Sequence, residues 1–241
     1  MSRLARFAWA VLLGNVVVIL WGAFVRATGS GAGCGGHWPT CNGEILPRPR
    51  SIETVVEFTH RTTSGLSGLL VLVQLVWAFV AFPKGHPARA GAVASMILML
   101  NEGAVGAALV LLEHVAYDRS VARAAWTSLH LTNTFLLVAA MTCTAYWGSG
   151  GRAPRRAGQE VVGALLAVGT LGLLITAVSG AVTALGDTLF PPTSLAAGFA
   201  QDFTPGMHLF VRLRGIHPIL AASTGAAIAM KCCRLEQYRQ S

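Results

Sequence analysis

The sequence predicts an all-α fold: a polytopic membrane helix bundle of about six transmembrane helices, one four-helix half plus an incomplete second half. Three observations carry this reading. Hydrophobic residues make up 54% of the chain and charged residues only 12%, far from the balance of a soluble domain. Six apolar stretches, 5–26, 57–82, 88–112, 123–147, 160–185 and 208–232, are each long enough, at about 1.5 Å of rise per residue, to cross a hydrocarbon core of roughly 30 Å. The first and fifth end alike, in Gly22-Ala23-Phe24-Val25 and Gly180-Ala181-Val182-Thr183, and each is followed by a loop and a helix with a histidine near its outer end. The predicted halves are 1–150 and 151–241.

The first stretch follows Arg3 and Arg6, as an h-region would, but it is too long for one and Phe24-Val25-Arg26-Ala27-Thr28-Gly29 is a poor cleavage site, so it reads as a span. The second opens on Glu57-Phe58-Thr59-His60-Arg61, and the third holds Asn101-Glu102-Gly103 and Gly106. The fourth carries His130 seven residues after Arg123, about 10 Å inside its outer end. The fifth bears Gly163, Gly169 and Gly172; small residues here and in the third let helices approach each other or a flat ring closely. The sixth carries His217 just inside Arg212 and Arg214 and ends near the polar tail Arg234-Leu235-Glu236-Gln237-Tyr238-Arg239.

If the spans alternate, Arg3, Arg6, Lys84, Arg89, Arg152, Arg155, Arg156, Lys231, Arg234 and Arg239 share one side, which the positive-inside rule makes cytoplasmic, both termini included. The net charge of +8 then reflects that bias and contact with anionic membrane lipid, and no nucleic acid is called for. The opposite side has the longer connections, 27–56, 113–122 and 186–207, where functional loops are expected. Cys34 and Cys41 lie in the first of these. On an oxidising face they can meet as a disulfide, structural or redox-responsive, worth on the order of 2 to 3 kcal/mol of loop order; two free thiols are the alternative. Cys143, Cys232 and Cys233 read as small apolar fillers or interfacial thiols.

Ionisable groups in lipid are costly and mark cofactors, proton paths or substrate sites. Glu57 and His60 are three residues apart, so they share a helix face, and a carboxylate and an imidazole are expected to point into one pocket. His60, His130 and His217 lie at similar depth, as axial ligands of heme iron require. Zinc or another bare ion is the competing metal, and would want a tighter ligand set than a chain without His-Glu-x-x-His or Cys-x-x-Cys offers; satisfied structural histidines are the third possibility. Arg26, Arg61, Arg212 and Arg214 are placed to pair with propionates or to anchor at the interface. Glu102 is a proton relay, a hydrogen-bond partner of a ligand histidine, or a helix-to-helix contact. His114 and His208 are expected to be solvated, and His37 and His86 are loop residues without an assigned partner.

These residues together resemble the heme A synthase family. The resemblance runs through Gly22-Ala23-Phe24-Val25-Arg26-Ala27-Thr28-Gly29-Ser30-Gly31, Cys34, Trp38-Pro39, Cys41-Asn42-Gly43, Glu57-Phe58-Thr59-His60-Arg61, His130-Leu131 and Arg212-Leu213-Arg214-Gly215-Ile216-His217-Pro218. It implies oxidation of a heme O methyl group to the formyl group of heme A for cytochrome oxidase assembly. It further implies that His60 and His130 flank heme O, with Arg61 beside them and Glu57 acting close to the reacting methyl, and that His217 is one axial ligand of a heme b cofactor. Family members have eight spans and a fourth histidine, so the sequence reads as lacking the last two. The implied partners are heme O synthase and an external electron donor, since no nicotinamide or flavin fingerprint is present; a homo-oligomer is compatible with the pattern. The reading from another class is a non-enzymatic membrane b-type cytochrome that transfers electrons.

Overall fold

The computed structural model describes residues 2–48, 51–152 and 160–240, and the side chains of these except 160–161 and 231–240. Arg155 and Arg156, and the side chains of Lys231, Cys232, Cys233, Arg234 and Arg239, lie outside the described residues. The chain divides into two compact units, Met1–Ala153 and Pro154–Ser241.

The first unit contains α1 (Arg3–Ala27), a single 3-10 turn (Ser30–Ala32), α2 (Ile52–Ala81), α3 (Pro87–Leu111) and α4 (Val121–Gly148). Each helix start is set by a side chain that accepts an otherwise orphaned N–H: Ser2 from Ala5, Ser51 from Thr54, His86 from Ala88 and Ser120 from Arg123. The Ser51 cap starts α2 at Ile52, before the predicted 57, so Glu57 lies inside the helix. The short α2–α3 turn uses Gly85 at φ 84°, a left-handed conformation that suits glycine, and Pro87 in the first turn of α3, where its missing N–H costs nothing.

Packing between neighbours, α1 with α2 and α4 and α3 with α2 and α4, closes a ring of four helices and leaves α2 and α4 diagonally opposite. Val11, Leu12, Val71, Leu137 and Met141 form the core. In lipid such packing depends on close fit more than on the hydrophobic effect. Gly91 supplies one close fit, since a Cβ there would lie 2.6 Å from Thr144 Oγ1. The outward faces remain apolar, with Leu13 67%, Val80 80% and Leu100 64% exposed, a surface that suits hydrocarbon.

The second unit contains α5 (Glu160–Leu189), α6 (Leu195–Phe203), α7 (Leu209–Arg212) and α8 (Ile216–Gln240). α5 packs on α7 and α8, and α6 on α7. The 186–207 connection is therefore largely helical: α5 continues to Leu189 and α6 starts at the Ser194 cap. The predicted sixth span is interrupted after Arg212, and its long helix begins at Ile216 with Pro218 in the first turn, the place a helix accepts proline. Among the described residues five helices are long and apolar enough to cross a membrane: Arg3–Ala27, Ile52–Ala81, Pro87–Leu111, Val121–Gly148 and Val162–Leu189. The protein is thus a polytopic helical membrane protein. Of the glycines expected at packed faces, Gly172 meets Thr224 and Gly106 meets His130, whereas a Cβ added at Gly103 or Gly163 would meet no described residue of a neighbouring helix within 4 Å.

Candidate functional site

His60 on α2 and His130 on α4 stand on the diagonal helices, and each imidazole rests on a glycine of a neighbouring helix. A Cβ on Gly22 of α1 would lie 2.8 Å from His60 Cε1, and one on Gly106 of α3 would lie 3.6 Å from His130 Cε1. Both Nδ1 atoms are buried without a hydrogen bond. His130 Nδ1 is 3.5 Å from Glu102 Oε1, an ion-pair distance without hydrogen-bond geometry. Glu102 is itself fixed, accepting from Asn133 Nδ2 and Thr134 Oγ1, while Asn133 also accepts from Asn101 Nδ2 at 2.8 Å and donates to Leu98 O at 2.9 Å. A carboxylate that accepts the far ring N–H fixes tautomer and ring orientation in metal ligands, and Glu102 stands at the edge of that distance from His130 Nδ1 without making the bond. Among the described residues no three His, Cys, Asp or Glu side chains gather as a bare-ion site would need.

Cys34 and Cys41 are joined as a disulfide, and this small ring is held down by Glu57 and Arg61. Glu57, 3% exposed, accepts the Cys34 N–H through Oε2 at 2.7 Å. Its Oε1 accepts from Arg61 Nε at 3.1 Å and also from Arg61 Nη2. Arg61 Nη1 donates to His37 O and, at 2.8 Å, to Thr40 O. Thr54 Oγ1 adds a bond to Gly33 O at 2.8 Å, and Gly33 lies so close to α2 that a Cβ there would fall 2.3 Å from the Glu53 carbonyl carbon. Glu57 and His60 do share a stretch of α2, but Glu57 is turned to the disulfide ring, with both oxygens engaged there.

The α3–α4 connection is tied in a similar way. His114 was expected to be solvated, yet its Nδ1 lies 2.8 Å from Asp118 Oδ2, which also accepts from Ser120 Oγ at 2.7 Å. Burial pushes the Asp118 carboxyl up, but the hydrogen bonds from Ser120 and His114 outweigh it and hold the group below the usual carboxylate range. Arg123, 3% exposed, donates to Ala116 O and Asp118 O. The side chain of Arg26 makes no hydrogen bond or ion pair with any described residue.

The second unit repeats the seat. A Cβ on Gly180 of α5 would lie 2.9 Å from His217 Cε1, and His217 Nδ1 meets Ser179 Oγ at 2.9 Å. An apolar cleft lined by Leu174, Val178, Val182, Leu213, Ile216 and Leu220 adjoins Ser179. Three residues before His217, the place Glu57 holds before His60, stands Arg214. It is buried, donates to Asp187 Oδ1 and Gln201 Oε1, each at 3.0 Å, and its Nε lies at an ion-pair distance of 2.9 Å from Asp202 Oδ1 without hydrogen-bond geometry. His208, also expected to be solvated, stacks on Phe190 with ring centroids 5.0 Å apart and accepts the Phe210 N–H. His86 stacks on Phe82 at 4.1 Å. The paired Gly-Ala motifs were visible in the sequence as a repeat; their use as imidazole seats was not, nor was the Arg214 cluster, whose acids lie far from it in the chain.

Fold and site together define a polytopic membrane protein with two compact units, each seating a histidine on a glycine. Residues 5–241 match the cytochrome oxidase assembly protein family, COX15-CtaA, and the chain belongs to that family. It is similar to Thermus thermophilus protoheme IX farnesyltransferase, 55% identical over 224 residues, 93% of this chain and 37% of that protein. It also resembles the heme A synthases of Alkalihalophilus pseudofirmus, 38% identical over 110 residues, and Geobacillus kaustophilus, 40% over 105; these matches cover 46% and 44% of this chain and 37% and 33% of those proteins. The chain thus spans just over a third of the first of these relatives.

Proposed function

We propose that the chain performs the heme A synthase reaction, oxidising the methyl group of heme O to the formyl group of heme A, within the first unit. The observation that carries this reading is the pair His60 and His130: imidazoles on diagonal helices, each over a glycine, each with a buried Nδ1 left without a hydrogen bond. That arrangement suits a flat iron porphyrin between the rings better than a packed core, where buried polar atoms find partners. Membership of the cytochrome oxidase assembly family and similarity to proteins named heme A synthase support the substrate.

In this reading His60 and His130 hold the substrate, and Glu102 keeps the His130 ring in orientation. Glu57 serves as acid or base once the substrate displaces one of its loop donors, and Arg61 keeps the disulfide ring closed over the site. The residues of the second unit fit a resident heme b: Ser179 fixes His217 Nδ1 and leaves Nε2 as the ligand atom, beside an apolar cleft. Such a heme supplies one-electron transfer when bound, and the electrons originate outside the chain. Heme O synthase is the partner that provides the substrate, in keeping with the farnesyltransferase named among the relatives. The basic residues favour a bacterial-type plasma membrane placement with both termini cytoplasmic.

The test is co-expression with heme O synthase followed by pigment extraction. Formyl-bearing heme supports the assignment; heme O recovered unchanged beside a heme-loaded protein refutes it in favour of an electron-transfer cytochrome.

A further inference from the structure

We propose that Arg26, backed by Arg123, forms the carboxylate-binding corner of the first-unit site and takes the propionate edge of a porphyrin, while Arg61 does not. The proposal rests on the porphyrin reading above and adds which cation orients the ring.

Arg61 is the arginine that proximity in sequence favours, since it adjoins His60. Four of its five N–H donors are engaged, Nε and one of Nη2 on Glu57 and both of Nη1 on two loop carbonyls, so no free pair is left for a bidentate grip. Arg123 has Nη1 committed to two carbonyls and has Asp118 nearby. Arg26, half-buried, has no hydrogen-bond or ion-pair partner among the described residues, and it acts on Arg123 as a like charge. A guanidinium drawn partly out of water beside another cation is unfavourable until an anion joins it.

Position supplies the second argument. Arg26 is four residues beyond Gly22, the seat of His60, and so stands one turn outward on the same stripe of α1. Arg123 precedes His130 by seven residues and stands two turns outward on the same stripe of α4. α1 and α4 are neighbours, and both cations stand outward of the imidazoles, toward the loop end of the bundle. A ligand whose flat body lies between the rings and whose acidic edge points to that end would place a carboxylate on the Arg26 fork, a geometry guanidinium matches in bidentate fashion and ammonium does not.

The experiment titrates purified full-length protein, in a His217→Ala background that removes the second-unit imidazole, with iron protoporphyrin IX and with its dimethyl ester, reading the Soret band. Arg26→Gln should weaken binding of the diacid by about tenfold to a hundredfold, the range for a hydrogen bond to a charged group, and leave the ester unchanged. Arg26→Lys should recover only part of the loss. Arg61→Gln should keep the preference for diacid over ester while exposing the 33–42 loop to protease. If Arg26→Gln binds both porphyrins as its parent does, or Arg61→Gln abolishes the preference, this inference fails and the porphyrin reading stands. If the parent binds neither porphyrin, the reading itself fails and takes the inference with it.

Discussion

Gly22 offers the sharpest test of the imidazole seat. In Gly22→Ala the new Cβ would stand 2.8 Å from His60 Cε1 and 3.1 Å from Nε2, so the ring must retreat until both reach at least 3.4 Å. The ring is the far end of a side chain and can yield, so the protein should not unfold. Alanine also gains about 1 kcal/mol over glycine inside a helix, against an overpacking cost of about 1 to 3 kcal/mol. Net stability should therefore change by no more than about 2 kcal/mol. Ligand geometry is less forgiving, because a site must hold its groups within about 0.5 Å of the productive position. Porphyrin affinity, read from a Soret titration in detergent, should fall by about 10- to 100-fold, the range for losing the support of a metal-binding histidine. Gly106→Ala is the matched control: its Cβ would lie 3.6 Å from His130 Cε1, an ordinary contact, so binding should hold and thermal stability should rise by up to about 1 kcal/mol. Parental affinity in Gly22→Ala, or a larger loss in Gly106→Ala, would refute the steric reasoning.

Other outcomes follow from the loop anchors and the residues behind the histidines. Glu57→Ala leaves the partly buried Arg61 without its carboxylate and should cost about 1 to 3 kcal/mol, less than a fully buried pair would; hydrogen exchange at the Cys34 amide, now protected by Glu57, should accelerate, and slow exchange there would contradict the clasp. Glu102→Ala should lower heme affinity by about 10- to 100-fold and move the absorption spectrum of bound heme, since His130 loses its oriented neighbour; an unmoved spectrum would deny Glu102 that part. Asp118 is held below the usual carboxylate range by Ser120 and His114, so the folded state binds its proton less readily than the unfolded state. Its contribution is fully present above the unfolded pKa, roughly 3.9, and disappears as pH falls through the lower folded value. Asp118→Asn should remove that part of the acid-unfolding slope, measured by circular dichroism at stepped pH.

Much of the fold was legible because lipid enforces a simple code: apolar runs of sufficient length, basic residues at alternate connections, and helix caps such as Ser51 and Ser120. The sixth span was harder, because 208–232 looks continuous in hydropathy while the chain turns after Arg212. That break follows from long-range ties of Arg214 to Asp187, Gln201 and Asp202, which no local pattern encodes. At the site, residue types and depth pointed to His60, His130 and His217, since an imidazole in a membrane is conspicuous. What spacing could not convey was direction. Glu57 lies one turn from His60 yet faces the disulfide ring, because the Cys34 amide and Arg61 compete for its oxygens more directly than anything deeper in the bundle. The glycine seats were hidden for a related reason: a missing side chain announces nothing until the ring that fills the gap is in place.

The opposite charges at Glu57 and Arg214 carry a consequence for engineering by transplant. The first unit's loop presents a main-chain amide to an acid, and the second presents acids to a base, so exchanging the two connections would strand each anchor. A chimera would need the anchors moved along with the loops, which makes helix end and connection a single inheritable module despite the distance between them in the sequence.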